Sequence, residues 1–144
     1  MFIQTKTFYN AVIDRDLFFT IYDYLRFHPR EVKEYYNIKT TDNFYNLTLE
    51  DWKDLAEDTI YWLEHTQLPT VNKLTNDDPA PTMETWGTLY YQTCNYLGIK
   101  EPGYPTLRSR DLNGTVKACI NCIEYLKEKL DEMREPTDYD LENI

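Results

Sequence analysis

The chain has 144 residues, of which 42% are hydrophobic and 15% are aromatic, and its formal net charge at pH 7 is −10. This apolar content excludes a disordered chain, and the length suits one domain of common size. The acidic balance argues against direct binding to nucleic acid or anionic lipid, because like charges repel, and it makes a basic protein surface the easier partner.

The N-terminal region combines a strand signal with a helix signal. Phe2 and Ile3 are compatible with a short opening strand. Apolar residues then recur at near-helical spacing up to Arg26, which predicts a helix that begins at residue 7 or 14 and ends before Pro29. Pro29 itself suits the first turn of a short second helix, because that position needs no backbone N–H donor.

A long acidic helix is predicted next. Thr48 is a good N-cap, and Asp51, three residues later, completes an acidic variant of the capping box. These signals predict a helix from Leu49 to Gln67 that stops before Pro69. The segment PTVNKLTNDDPAPT, residues 69–82, contains three prolines and is predicted to be a loop.

Two helices are predicted in the second half of the chain. Thr82 is the predicted cap of a helix from Met83 to Leu97, with Gly98 just after its end. Asp111 is the predicted cap of a last helix that runs from Leu112 to about Glu135 and is ended by Pro136.

The last helix carries an apolar seam whose residues are separated by alternating steps of four and three: Leu112, Val116, Cys119, Ile123, Leu126, Leu130 and Met133. Such a seam packs against another helix, either within one chain or between two copies. Internal packing is favoured because a small chain needs its longest apolar stripe for its own core.

The predicted fold is all-α, a single compact domain of four to five helices over residues 1–135 with a short N-terminal strand as an option. Residues 136–144 form an acidic tail that we expect to fray. No run of 18 apolar residues is present and the first residues do not resemble a signal peptide, so we expect a cytoplasmic protein without a membrane span.

The segment Leu49–His65 contains six acidic residues and only one basic residue, Lys53. On a helical wheel one arc, here called the acidic face, holds Glu50, Asp54, Glu57, Asp58, Tyr61 and Glu64. Acids four residues apart on a helix cost a few tenths of a kcal/mol per pair. The face is interpreted either as a solvated surface, which is the usual meaning of a charge run, or as a docking surface in which Tyr61 is an aromatic anchor.

Two further constellations have weaker chemical meaning. Cys119 and Cys122 form a CxxC, but it lies inside a helical pattern without a second ligand pair, so no metal site is predicted. Arg108, Ser109 and Arg110 form a compact basic spot at the start of the last helix, where backbone N–H groups favour anions. Pairing of these arginines with the chain's own acids is the commoner outcome.

No catalytic or cofactor-binding motif is present in the sequence. His28 and His65 lie near predicted helix ends without a nucleophile at an informative spacing. A solvated row of carboxylates gives each acid a similar environment, whereas acid–base catalysis needs two groups whose pKa values differ. We therefore predict a protein that is not an enzyme and has no cofactor.

The function favoured by the sequence is that of an acidic interaction or inhibitory protein that docks on a basic protein surface, such as a nucleic-acid-binding site. Small phage and plasmid counter-defence proteins share this bulk character, which is an analogy of class. Two alternatives stay open: an anion- or nucleotide-binding module built on Arg108, Ser109 and Arg110, and a structural homo-oligomer, such as a homodimer, joined through the helix of residues 112–133.

Overall fold

The computed structural model describes residues 4–28, 34–36, 38, 41–77, 83–97 and 112–144. Its elements, in chain order, are β1 (Thr5–Thr7), β2 (Val12–Asp14), α1 (Arg15–Phe27), a 3₁₀ helix (Thr41–Asn46), α2 (Leu49–Trp62), a π-helical turn (Leu63–Gln67), α3 (Leu68–Asp77), α4 (Met83–Tyr96), α5 (Leu112–Asp131) and α6 (Asp138–Glu142). The all-α fold with a short β element near the N-terminus is confirmed. Several predicted features lie outside the described residues: the strand at Phe2 and Ile3, the helix start at Pro29, and the helix ends at Thr82, Gly98 and Asp111.

Internal contacts divide the chain into two compact units. The first unit consists of Met1–Thr59 and Glu128–Ile144, and the second consists of Ile60–Lys127. The single-domain boundary at residue 135 stays a prediction.

A small hairpin opens the first unit. β1 and β2 are antiparallel, with Lys6 opposite Ile13, and the Phe8 N–H donates to the Ala11 carbonyl at 2.8 Å across the turn. The hairpin uses the residues up to Asp14, whose carboxylate accepts from the Leu17 N–H at 3.0 Å and so caps α1. Of the two predicted starts of this helix, residue 14 is therefore the correct one.

The core of the first unit is aromatic. Trp52 of α2 is fully buried, and its ring stacks on Phe8 with centroids 4.9 Å apart. The rings of Phe18 and Phe44 lie 6.1 and 5.7 Å from Trp52. Rings of this size at these separations add to the hydrophobic gain of burial, so the cluster joins the hairpin, α1 and the 3₁₀ helix to α2.

The predicted N-terminus of α2 is confirmed. The Asp51 N–H donates to the Thr48 hydroxyl at 3.0 Å, and the Thr48 N–H donates to the Asp51 carboxylate at 3.1 Å. Each residue thus satisfies a backbone donor of the other, which is the capping-box arrangement.

The predicted helix end before Pro69 is wrong, and so is the predicted loop over residues 69–77. Residues 78–82 of that predicted loop lie outside the described residues. The chain stays helical to Asp77, because the turn Leu63–Gln67 is π-helical and the Leu68 N–H donates to the Leu63 carbonyl. Pro69 then lies in the first turn of α3, where its missing N–H costs little. The wider π-helical turn separates Pro69 from the α-helix before it, so the proline does not interrupt the hydrogen bonds of that helix.

The predicted helix over residues 83–97 is found, but it is broken inside. Gly87 has φ +71°, which is outside helical geometry and favourable for glycine. The Gln67 side chain lies against Gly87, and its Oε1 accepts from the Leu89 N–H at 3.3 Å. A Cβ at residue 87 would overlap that same oxygen, so the glycine permits both the bend and the contact.

The C-terminal region differs from its prediction in two ways. α5 ends at Asp131 instead of about Glu135, and Arg134 instead pairs with Val12 of the hairpin. Residues 138–142 form α6, capped by Thr137 and Asp140, where we expected fraying. The Arg134 guanidinium lies 2.7 Å from the Asp140 carboxylate and, with the Thr137 hydrogen bonds, lowers the pKa of that carboxyl.

Replacing Thr48 by alanine removes one half of the capping box. We expect the free energy of unfolding to fall by about 1 kcal/mol, the usual cost of losing such a cap. Urea denaturation followed by circular dichroism measures the change. Thr70→Ala is the matched control, because the Thr70 hydroxyl only bonds the Thr66 carbonyl within a helix; an equal loss in both variants would contradict the capping role.

Candidate functional site

The acidic face begins on α2 in the first unit. Glu50, Asp54, Glu57 and Asp58 are exposed, and the opposite side of the helix is buried at Trp52, Leu55, Ala56 and Thr59. The burial pattern therefore agrees with the wheel in this part of the helix. Trp62, which the wheel places at the border, is buried.

The carboxylates on this part of the face are not neutralised by the neighbouring cations that the structure describes. Across residues 4–28, 34–36, 38, 41–77, 83–97 and 112–144, no ion pair involves Glu50, Asp54, Glu57 or Asp58. Lys53, the one basic residue of α2, is exposed and is also in no ion pair of that set. Within the part of the chain that the structure describes, these four carboxylates are therefore not paired with a cation.

Asp58 shows the electrostatic consequence. Partial shielding of its carboxyl from water raises its pKa above the ordinary value, and the charge of Asp54, one turn earlier, raises it further. Both effects disfavour the ionised form. A cation brought close to Asp58 would favour the ionised form and so lower this pKa.

Tyrosines border the same carboxylates, and sequence reasoning did not find them. Burial raises the pKa of Tyr36 well above its usual range, with further contributions from Asp58, Asp54 and Asp51. The pKa of Tyr24 on α1 is raised by burial and by Asp58. Tyr35, whose ring lies 4.8 Å from that of Tyr36, is 79% exposed.

The segment of residues 34–36 gives only one signal in the sequence, two adjacent tyrosines after an acid. A pair of tyrosines is ordinary in a core or on a surface, and its place beside α2 is decided by tertiary packing. Since tyrosine is enriched at interfaces, these rings add a recognisable aromatic component to the acidic surface of the first unit.

The second unit holds the two remaining residues of the predicted face. Tyr61 is 65% exposed and its ring lies 4.1 Å from that of His65. Glu64 is half-buried and its carboxylate lies 2.8 Å from the Lys127 ammonium, which also lies 3.4 Å from Glu124. These bonds raise the pKa of Lys127.

Glu64 therefore differs from the other acids of the predicted face, because its charge is paired within the chain. The wheel assumed a constant step of about 100° per residue, which holds for an α-helix. Glu64 lies in the π-helical turn, where that step no longer applies. The turn was not predictable from the local residue pattern.

The alternative anion site, formed by Arg108, Ser109 and Arg110, lies outside the described residues. The alternative dimer seam is largely used inside the chain. Its residues Cys119, Ile123, Leu126 and Met133 are buried, while Val116 and Leu130 are half-buried.

The three cysteines are buried and are not joined in disulfides. Burial raises the pKa of Cys119 to about 11. A thiol with such a pKa stays protonated near neutral pH and is a poor nucleophile. Within the described ranges, no group of three or more His, Cys, Asp or Glu side chains is arranged to hold a metal ion.

The two histidines make local contacts. The Nδ1 atom of His28 lies 3.0 Å from the carbonyl oxygen of Tyr24, and the two rings are 4.5 Å apart. His65 packs on Tyr61. Both rings thus have structural partners within their own helical segments.

None of the helices in the described ranges has the length and apolarity required to cross a bilayer. No protein-family model, curated protein or solved structure matches this chain. Exposure and electrostatics of the side chains are therefore the basis for a functional proposal.

Replacing Asp58 by asparagine should stabilise the protein at neutral pH. The folded-state pKa of Asp58 lies above its ordinary value of 3.8, so this carboxyl lowers the stability of the wild-type chain as pH rises from that value through the folded pKa. We expect the free energy of unfolding of Asp58→Asn to exceed that of the wild type by a few tenths of a kcal/mol at neutral pH. The difference should shrink as pH falls through the same window.

Denaturation curves at several pH values measure this difference. Glu50→Gln is the matched control, because Glu50 also lies four residues from Asp54 but belongs to the first turn, where the helix dipole favours an acid. The control should not be stabilised, and an Asp58→Asn protein less stable than wild type at neutral pH would refute the repulsion.

We expect Cys94, Cys119 and Cys122 to resist alkylation while the protein is folded. Their burial denies access to the reagent, and the raised pKa of Cys119 removes the reactive thiolate. Mass spectrometry after iodoacetamide treatment counts modified thiols with and without urea. Rapid alkylation of Cys119 in the folded protein would contradict this expectation.

Proposed function

We propose that this protein is a non-enzymatic, acidic protein-binding module that docks on a basic surface of a partner protein. The observation that carries the proposal is the row of exposed carboxylates on α2, Glu50, Asp54, Glu57 and Asp58, which form no ion pair with the residues that the structure describes. A partner that supplies lysines or arginines relieves the mutual repulsion of these charges.

The geometry of the helix suits a target that normally binds nucleic acid. Glu50, Asp54 and Asp58 follow one another by one turn, so their Cα atoms rise about 6 Å per step along the helix axis. This arrangement gives a line of negative charge on a rigid support, which a groove that binds a phosphate backbone can accept. We therefore propose that the protein belongs among inhibitors that occupy such grooves and that it acts in the cytoplasm, where cysteines stay reduced.

The tyrosines beside the carboxylates add aromatic rings to this charged surface. Tyr35 is largely exposed, and Tyr36 lies close enough to Asp51, Asp54 and Asp58 for their charges to raise its pKa. An arginine that approaches these acids can also lie over a tyrosine ring, since guanidinium groups bind aromatic faces as well as carboxylates. Arginine-rich surfaces are therefore favoured over lysine-rich ones as targets.

Charge reversal tests the proposed docking. We expect Asp54→Lys/Glu57→Lys to lose the partner that the immobilised wild-type protein captures from a host lysate, because two attractive contacts become repulsive. Capture should weaken steeply with salt, and an excess of duplex DNA should displace the partner from the wild-type protein. Quantitative mass spectrometry of the eluates measures all three effects.

Glu128→Lys/Asp131→Lys is the matched control, because it changes the net charge by the same amount at two exposed acids of α5. This variant should retain the partner. Equal capture by both double variants, or a captured partner that DNA does not displace, would contradict docking of the acidic face on a nucleic-acid-binding surface.

A further inference from the structure

An aromatic groove of about 280 Å³ lies in the first unit, apart from the acids of α2. Six aromatic rings line it: Phe8, Phe18, Phe19, Tyr22, Phe44 and Tyr45. One cation, Lys6, lines it as well. A concave surface of this composition, open to water, is the usual form of a site for an apolar ligand that carries a polar group.

Three elements build the groove. β1 and the turn after it supply Lys6 and Phe8, α1 supplies Phe18, Phe19 and Tyr22, and the 3₁₀ helix supplies the last two rings. Several adjacent rings meet edge to face, as in the pair of Phe18 and Phe44, whose centroids are 6.1 Å apart. The rings thus hold one another in fixed orientations.

The floor and the rim of the groove differ in exposure. Phe8, Phe18 and Phe44 are buried and form the floor, with the Trp52 ring stacked behind Phe8. Phe19 and Tyr45 form the rim, and each is 38% exposed. A flat molecule that entered would cover the exposed rim rings without displacing any core residue.

Two basic side chains, Lys6 and Arg15, lie over aromatic rings of this groove, although the chain has a net charge of −10. The Lys6 ammonium lies 5.2 Å from the centroid of Phe18 and 5.8 Å from that of Phe19, and the Arg15 guanidinium lies 5.5 Å from the centroid of Phe19. Arg15 also acts on the neighbouring carboxyl of Asp16. Neither cation forms an ion pair with a residue of the described ranges, and Lys6 is the less compensated charge because Arg15 acts on Asp16.

We propose that this groove binds a small planar aromatic anion, a ring system that carries a carboxylate or a phosphate. The ring lies among the aromatic side chains, and the anionic group pairs with Lys6. Ligand pockets usually enclose roughly 300–1,000 Å³, so the groove, at about 280 Å³, lies just below this range and suits one ring system with one acidic group. The residues involved are separate from those of the acidic face, and the inference does not rest on the docking function.

Three probes of one shape test the charge preference: 2-naphthoate, its neutral amide, and 2-naphthylmethylammonium. Titration calorimetry with the full chain measures their dissociation constants. We expect 2-naphthoate to bind about tenfold more tightly than the amide and the ammonium compound to bind most weakly, because only the carboxylate pairs with the lysine. Equal binding of all three, or no 2-naphthoate binding at about 5 mM, would overturn the proposal.

Lys6→Glu tests whether the anionic probe binds in this groove. Lys6 is exposed, so the fold should tolerate the change, and the order of preference should invert to favour the ammonium compound. Lys53→Glu, which reverses an exposed lysine on α2, is the matched control and should leave the order unchanged. An unchanged order in Lys6→Glu would show that the anion binds elsewhere and would also overturn the proposal.

Phe19→Ala tests the aromatic part of the site without changing its charge. Loss of this half-exposed rim ring should weaken 2-naphthoate binding about fivefold while the preference for the anion over the amide remains. Unchanged affinity would mean that the ring does not contact the probe and would count against the groove.

Discussion

Burial of Trp52 is the interaction on which the rest of the first unit depends. Its ring stacks on Phe8 at 4.9 Å and lies near Phe18 and Phe44, so a single side chain of α2 contacts the hairpin turn, α1 and the 3₁₀ helix. With Trp52 held inside, the opposite side of α2 is directed away from the core. The same ring supports the floor of the aromatic groove from behind, so both proposed surfaces depend on one anchored residue.

Relative energies explain why α2 can carry so many acids. Burial of each large apolar side chain on its inner side contributes about 1.5–3 kcal/mol. Repulsion between acids one turn apart costs only a few tenths of a kcal/mol per pair. The helix is therefore stable despite its charges. Partial shielding from water raises the pKa of Asp58, and the charge of Asp54 raises it further. Stability alone does not require these acids, and a lysine at one of these positions would have removed part of the cost.

Local signals in the sequence predicted the parts of the fold that local physics decides. The Thr48–Asp51 capping box and the inner side of α2 were both readable, because each depends on residues within one or two turns. The predicted helix end before Pro69 was wrong. Proline ends an α-helix because it lacks the N–H of the i→i−4 hydrogen bond, but the backbone had already changed to i→i−5 bonding in the π-helical turn. No residue pattern marks that turn, whose Gln67 side chain contacts Gly87 of a later helix.

The candidate site was predictable only in its helical part for the same reason. Spacing along α2 brought together Glu50, Asp54, Glu57 and Asp58, but Tyr35 and Tyr36 reach these acids through the fold. The aromatic groove depends on three segments whose rings meet only after folding, so no local pattern in the sequence indicates it. A mixture of buried and half-exposed rings has the same residue pattern as a fully buried cluster.

The two proposed surfaces of the first unit differ in the kind of attraction that they offer. Docking through exposed carboxylates is mainly electrostatic and is screened within about 10 Å at 0.1 M salt. Binding in the groove is mainly apolar, with one charge contact at Lys6, and salt weakens it far less. Because the acids attract cations and Lys6 attracts an anion, a ligand suited to one surface is disfavoured by the other. Opposite charge preference thus keeps the two kinds of binding separate within a single small unit.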